Sequence, residues 1–336
     1  MPRQTTSQLS LLSPIDIVYL WVDGSDPTWR AKRQKAWDQW HPSSFDSVAV
    51  YGNVEGRFRD NDELRFSLRA LERYFPHHGH VYVVTDGQTP SWLRPSEKIS
   101  VIAHADLIPA SSLPTFDSGH IESYIHRIPH LSERYFYCND DVFFGAPVNL
   151  DHWFWEDGFY TGWSDEAPVT AAPMLEDATA LENACRLSID WLARNHDPKA
   201  LEKAHDLPTF RTFAHAPRPM LKSVLFELEA LAPELFDMVR STVFRAWDKP
   251  TIVSDFVLRW SLANGRAKLR DYPHLYISTG DAALEAELAQ LRKAVGLLDF
   301  FCLNDTLDDA PPSDPRLLQV AQTLAQMFPV ASSFEY

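Results

Sequence analysis

Apolar residues along this chain fall in short dense runs broken by Asp-Gly or Pro, interleaved with stretches of helical spacing. The run at 17–22, in IDIVYLWVDGSDP (15–27), is rich in β-branched and aromatic residues and stops at Asp-Gly, so it predicts a buried strand. HVYVVTDG (80–87) and KISVIAHADLIP (98–109) predict two more strands. RYFYCNDDVFF (134–144) predicts a fourth, interrupted by three polar residues. Between them, RQKAWDQW (33–40) is helical in composition. Leu64, Leu68, Leu71 and Phe75 recur at helical spacing until Pro76, with Asp60 or Asn61 as the expected N-cap. SGHIESYIHRIP (118–129) predicts a helix closed by Pro129, and 41–57 reads as a loop. Strand, helix, strand, strand, helix, strand is the alternation of an α/β sheet.

The second half is patterned differently. HWFWEDGFYTGW (152–163) is aromatic, 175–206 is helical with mixed charge, and 215–300 predicts mostly helix. LLDFFCLNDTLDD (297–309) returns to strand character. A Pro-rich linker and an amphipathic helix at 317–327 end the chain, and no repeat or low-complexity tract interrupts it.

Composition narrows the function classes. With 336 residues, 45% hydrophobic and 23% charged, the chain can bury a substantial core. No apolar run is long enough to span a bilayer, and the N-terminal residues make a poor signal peptide. Three separated cysteines without a CxxC argue against a disulfide framework or zinc site, which points to a reducing cytoplasm. The net charge of −15, with no Lys/Arg-rich stretch, argues against nucleic acid as a partner.

In α/β sheets ligands bind beyond the carboxyl ends of the strands. The sequence puts acids at three such ends: Asp23 with Asp26, Asp86, and the run Asn139, Asp140, Asp141. The last offers hard oxygen ligands suited to Mg²⁺ or Mn²⁺; the same residues also suit an Asx turn. VDGSDP (22–27) reads as a turn before a phosphate loop, since it matches neither common glycine-rich motif. Arg57 and Arg59 flank a helix start, a good place for an anion. His120 and His126 are six apart and share no helix face, so they do not pair as metal ligands. His215 is a candidate base and Arg245 a candidate phosphoryl-stabilising cation.

In order along the chain, IDIVYLWVDGSDP, RFRDNDELRFSLRALERYFP with HVYVVTDGQTPSWL, LPTFDSGHIESYIHRIPHLSERYFYCNDDVFFG, HAPRPMLKSVLFELE through FRAWD, and FFCLNDTLDD resemble the Stealth family of sugar-phosphate transferases. The resemblance covers about 15–309. It implies an α/β fold with a modified glycosyltransferase-like Rossmann core and a mostly helical C-terminal part folding back on the active site. It implies Mg²⁺-assisted transfer of sugar-1-phosphate from a nucleotide sugar, most commonly UDP-N-acetylglucosamine, to a glycan acceptor. By match to the family's motifs, Asp140, Asp141 and Asp305 would hold the metal. His215, Asp141 and Arg245 would be catalytic, while Asp23, Arg59, Asp60, Asn61, Asn139 and Asn304 would line the donor pocket. Leu20 departs from the family's usual Thr before the Trp, so any polar role of that side chain is lost.

The organisation expected on this basis is a disordered 1–14 and a single catalytic domain at 15–309. Its 15–150 half would hold nucleotide sugar and metal, 151–309 would complete the site, and 310–336 would be a tail helix. A bacterial enzyme of capsule or exopolysaccharide synthesis, soluble in the cytoplasm or peripheral at the inner membrane face, is the natural expectation. Two other readings compete: a metal-dependent glycosyltransferase releasing nucleoside diphosphate, and a non-catalytic carbohydrate-binding protein suggested by 11 Trp and the aromatic stretch 153–163.

Overall fold

The computed structural model describes residues 14–40, 47–195 and 209–336. The expected disorder of 1–13, part of the 41–57 loop and the end of the 175–206 helix lie outside the described residues.

The chain enters on β1 (Asp16–Leu20), turns at Gly24, and continues into α1 (Pro27–Gln39). Asp26 caps α1 by accepting from the amides of Thr28 (2.7 Å) and Trp29 (3.0 Å), with Pro at the first position. Gly24 is required by packing: its amide meets the Phe58 carbonyl at 2.8 Å, and a Cβ there would lie 2.3 Å from that oxygen. The hexapeptide 22–27 is therefore a turn held against Phe58.

α2 (Glu63–Tyr74) buries Leu64, Leu68 and Leu71 completely, as their spacing predicts. Its N-cap is neither Asp60 nor Asn61 but Asp62, in the left-handed region at φ +66°. Asp60 accepts from the Asp62 amide (3.0 Å) and Glu63 reaches back to the Asn61 amide (2.6 Å), which fixes that turn. β2 (Val81–Thr85), β3 (Ile99–Ala103), the short α3 (His104–Leu107) and α4 (Ser118–Glu122) follow. The helix expected over 118–129 breaks after Glu122. Ser123 Oγ donates back to the His120 carbonyl (2.7 Å), and Arg240 takes the Ser123 carbonyl (2.7 Å) that a continuing helix would use.

The predicted fourth strand is two. β4 (Arg134–Asn139) and β5 (Val142–Phe144) are separated by Asp140 and Asp141 and belong to different sheets. β6 (Phe154–Trp155) and β7 (Gly158–Thr161) form a hairpin, followed by α5 (Ala180–Asn195). The region 215–300 is less helical than its composition predicts. β8 (Arg218–Leu221), α6 (Lys222–Leu231), α7 (Pro233–Arg240), a π turn at Ile252–Phe256 leading into α8 (Val257–Ala263), β9 (Ala267–Leu269), β10 (His274–Ser278) and α9 (Leu284–Ala294) alternate there. β8 and β9 are too short for their pattern to register, and β8 contains a Pro tolerated because it sits at a sheet edge. β11 (Phe300–Asn304) and α10 (Pro315–Met327) complete the chain.

The main sheet runs β3-β2-β1-β4-β8, its first four strands parallel and β8 antiparallel to β4. The order 3-2-1-4 reverses between β1 and β4, which opens a crevice at their carboxyl ends. A second sheet, β10-β11-β5, begins where β4 ends, and a third, β6-β7-β9, lies on the C-terminal side. The fold is α/β with a Rossmann-type parallel core. Among the described residues no helix is long and apolar enough to cross a membrane.

The segment after α10 folds back onto α2. Glu335, with its side chain 1% exposed, accepts from Arg65 Nε (2.5 Å), Arg69 Nε (2.7 Å) and the Ser332 amide (2.8 Å). These donors hold its carboxyl down to about 2, burial opposing them. A carboxylate lowered in the fold stabilises above the ordinary carboxylate range, and that contribution is lost as pH falls to about 2. Glu335→Gln removes the anionic partner of the partly exposed Arg65 and Arg69, so it should cost about 1–2 kcal/mol at neutral pH and flatten the acid limb of stability. Denaturant unfolding of both proteins across acid pH checks this; equal stability at neutral pH would show that the latch contributes nothing.

Candidate active site

The crevice at the β1–β4 switch opens into a cavity of about 580 Å³, the size of a small-molecule site. Arg59, Asn139, Asp140, Asp141, His215, Arg245, Asn304 and Asp305 line it, whereas Asp23, Asp60 and Asn61 stand outside the lining. Leu20 contributes an apolar patch to the wall.

The floor is acidic. Asn139 closes β4, paired in register with Leu20, and Asp140 and Asp141 occupy the step to β5. Burial, then the charges of Asp141, Glu63 and Asp60, push the Asp140 carboxyl well above its usual range. Burial likewise raises Glu63 to about 8 and Asp60 to about 6. Asn139 Oδ1 is buried and has no hydrogen-bond partner among the described residues. An orphaned amide oxygen beside carboxylates that resist ionisation is the donor set a hard divalent cation satisfies, so the residues present fit Mg²⁺ or Mn²⁺. Asp305 is differently engaged: its Oδ2 is 2.5 Å from Arg59 and 3.3 Å from Asn61 Nδ2. Asp23 accepts from the Ser25 amide (2.8 Å) and hydroxyl (2.6 Å), holding its own turn.

Asp141 also organises a side wall. Its Oδ1 lies 3.2 Å from His215 Nε2, and its Oδ2 accepts from Cys302 Sγ at 3.4 Å. The Leu303 amide bonds the Asp141 carbonyl (3.0 Å), tying the acid to β11. His215 lies just ahead of β8, in a stretch where the sequence expected a turn before a helix. β8 carries it to the end of β4.

Other residues of the lining are cationic. Arg57 (3.1 Å) and Arg245 (2.5 Å) both donate to Ser118 Oγ at the start of α4. Burial and the neighbouring Arg245 press the Arg57 guanidinium below its usual value. Arg218, on β8, is 3% exposed, and its Nε and Nη1 have no partner among the described residues. The buried Glu122 faces these cations. It accepts from Tyr137 Oη (2.9 Å), and burial raises its carboxyl against the opposing pull of Arg218 and Arg245. Unpaired guanidinium donors aimed into a cavity suit phosphate oxygens.

Sequence reasoning marked Arg57, with Arg59, as a place for an anion, but did not select Arg218, Ser118, Glu122 or Glu63. Arg57 was visible beside Arg59, at a helix start. Arg218 carries no local signal, because only the β8–β4 pairing brings it to the cavity. The aromatic stretch 153–163 goes largely into the core: Trp153, Phe154 and Phe159 are 2% exposed or less. Trp153 stacks on Tyr272 at 4.5 Å. His120 and His126 are structural, bonded to the Thr242 carbonyl (2.7 Å) and to Glu229 (2.8 Å).

Comparison with known proteins places these residues in context. Stealth protein conserved region 1 matches residues 13–38, conserved region 2 matches 57–161 and conserved region 4 matches 289–336. The acidic floor lies in region 2 and Asp305 in region 4, while His215, Arg218 and Arg245 fall between them. An exopolysaccharide phosphotransferase of Streptomyces coelicolor is 35% identical over the whole chain and 34% of its own length. The exopolysaccharide phosphotransferase CpsY of Mycobacterium tuberculosis is 32% identical over 96% of the chain and 58% of its own length. A capsular polysaccharide phosphotransferase of Actinobacillus pleuropneumoniae is 36% identical over 64% of the chain and 56% of its length. The chain thus spans between a third and three fifths of these relatives. Among solved structures, the galactosyltransferase LgtC aligns over 95% of the chain and 97% of its own, with TM-score 0.44 and 9% identity. With three conserved regions matched in order and relatives of this kind along nearly its whole length, the chain belongs to the Stealth family.

Proposed function

We propose that this chain transfers a hexose-1-phosphate, N-acetylglucosamine-1-phosphate from UDP-N-acetylglucosamine being the first donor to test, onto a glycan hydroxyl in capsular or exopolysaccharide synthesis. The observation that carries this reading is the presence, in one cavity, of Arg57, Arg218 and Arg245 together with an acidic floor bearing a histidine. A diphosphate needs both cationic walls and a metal, whereas a neutral glycan needs neither. The names of the relatives favour phosphoryl over glycosyl transfer.

In this mechanism Arg57, Arg218 and Arg245 grip the donor diphosphate. Asn139, Asp140 and Asp141 would hold Mg²⁺ or Mn²⁺, whose charge offsets that of the phosphates. Asp141 fixes the His215 tautomer with hydrogen on Nε2, leaving a lone pair on Nδ1. Nδ1 takes the acceptor hydroxyl's proton as its oxygen bonds to the phosphorus next to the sugar. The bond from that phosphorus to the bridging oxygen breaks, and nucleoside monophosphate leaves. Transfer at the anomeric carbon would instead release nucleoside diphosphate. The cytoplasm, where nucleotide sugars are made, is the proposed setting.

Product analysis with nucleotide sugars and candidate glycans tests this directly. A nucleoside monophosphate with a sugar–phosphate–sugar linkage supports it, and a nucleoside diphosphate with a plain glycosidic bond overturns it. His215→Ala should lower kcat about 10²- to 10⁴-fold without loss of fold; near-normal kcat removes His215 from proton transfer. Arg218→Lys keeps the charge but loses the fork, so kcat/KM should fall about tenfold or more. Unchanged kinetics would assign Arg218 to structure.

The acidic floor also sets a pH dependence. Asp60 and Glu63 have raised pKa values, so the fold holds protons that the unfolded chain has released. The contribution of these groups to the stability of the metal-free protein is therefore fully present below the ordinary carboxylate range and is lost as pH rises from that range to about 6 for Asp60 and to about 8 for Glu63. Thermal melts from the ordinary carboxylate range to about 8 should show the decline, flattened toward its upper end in Glu63→Gln. A wild-type curve level over that whole range would refute both raised values, and one level only from about 6 to about 8 would refute that of Glu63.

A further inference from the structure

Beside the oxygen-rich floor lies a donor set of a different character. Asp141, His215 and Cys302 each present one ligand atom, and these atoms all lie within 4.8 Å of one another. His215 Nε2 is 3.2 Å and Cys302 Sγ 3.4 Å from the two Asp141 oxygens, close to the ligand–ligand edges of a small tetrahedral site. Among the described residues no other group of three such side chains converges in this way. From this geometry we infer that the wall of the cavity contains a second cation site, selective for a soft or borderline divalent ion such as Zn²⁺, whose occupancy shuts the proposed transfer off.

The chemistry of the donors separates this site from the floor. Asp141 is shared by the two sites; Asn139 and Asp140 add only oxygen, which suits Mg²⁺, whereas the thiolate of Cys302 and the imidazole of His215 bind Zn²⁺ and Co²⁺ far better than Mg²⁺. Three protein ligands leave a fourth position open toward the cavity. The backbone braces two of the three elements: Cys302 is fixed in β11 between β10 and β5, and the Leu303 amide holds the Asp141 carbonyl. On binding, sulfur–metal and nitrogen–metal bonds form, the Cys302 thiol proton passes to solvent, and the imidazole proton moves from Nε2 to Nδ1. That last shift removes the lone pair that accepts the hydroxyl proton. Inhibition therefore follows from the same atom that the proposed mechanism uses. The metal site itself does not rest on that mechanism; only its regulatory effect does.

The test uses Co²⁺ as a spectroscopic probe of the purified chain under a phosphine reductant. The expected result is a sulfur-to-cobalt charge-transfer band that saturates at one ion per chain, is displaced by Zn²⁺, and persists in excess Mg²⁺. Cys302→Ser should abolish the band. His215→Gln, which keeps the thiol, should weaken cobalt binding about tenfold or more. No band in the wild type, a band that survives Cys302→Ser, or full affinity in His215→Gln would each overturn the proposal. His215→Gln decides the matter even if Cys302→Ser fails to fold. In the transfer assay with Mg²⁺, Zn²⁺ should inhibit and a chelator should reverse it. A cobalt band in a protein that transfers nothing supports the metal site and counts only against the transferase reading.

Discussion

Everything near the cavity depends on the step from β4 to β5, where adjacent carboxylates sit at the junction of two sheets. Carboxylates crowded together at the end of a buried strand cannot all be ionised without a counter-charge. The fold supplies none in direct contact with Asp140, whose neighbours Asp141, Glu63 and Asp60 are acids. The arginines of the cavity act on other acids instead: Arg59 pairs with Asp305, Arg245 with Asp117, and Arg218 with Arg245 pulls on Glu122.

Much of this was legible in the sequence because it depends on local pattern. The apolar runs ending in Asp-Gly or Asn-Asp-Asp mark β1, β2 and β4, and their carboxyl ends are where a parallel sheet binds ligands. Asn139, Asp140 and Asp141 follow from that rule alone. His215 was legible as a candidate base from its residue type and the family resemblance, but Arg218 was not. Four residues containing Pro and Arg give no strand signal, and only pairing with a strand some eighty positions earlier in the chain carries Arg218 to the cavity. Leu64, Leu68 and Leu71 located α2, yet its first turn defied the expected cap, because the left-handed Asp62 lets Glu63 fold back. The break after Glu122 was likewise set by a distant group, Arg240, which reaches Ser123.

Asp305 illustrates how one residue changes character with its surroundings. Family resemblance makes it a metal ligand; in the structure its carboxylate is held by Arg59 and Asn61. Because the Arg59 guanidinium already neutralises that carboxylate, the hard-ion donors present without rearrangement are those of the floor.

The interleaving of the sheets bears on how the protein is made. β4 finds its outer neighbour only when 218–221 has been synthesised, and β5 only when 300–304 has. A nascent chain that has just produced the acidic step therefore exposes one unsatisfied strand edge until 218–221 emerges and another until 300–304 does. Pairings of such sequence separation form slowly, and open edges invite association with other chains. The cavity floor consequently takes its final shape only after both of those later strands have paired.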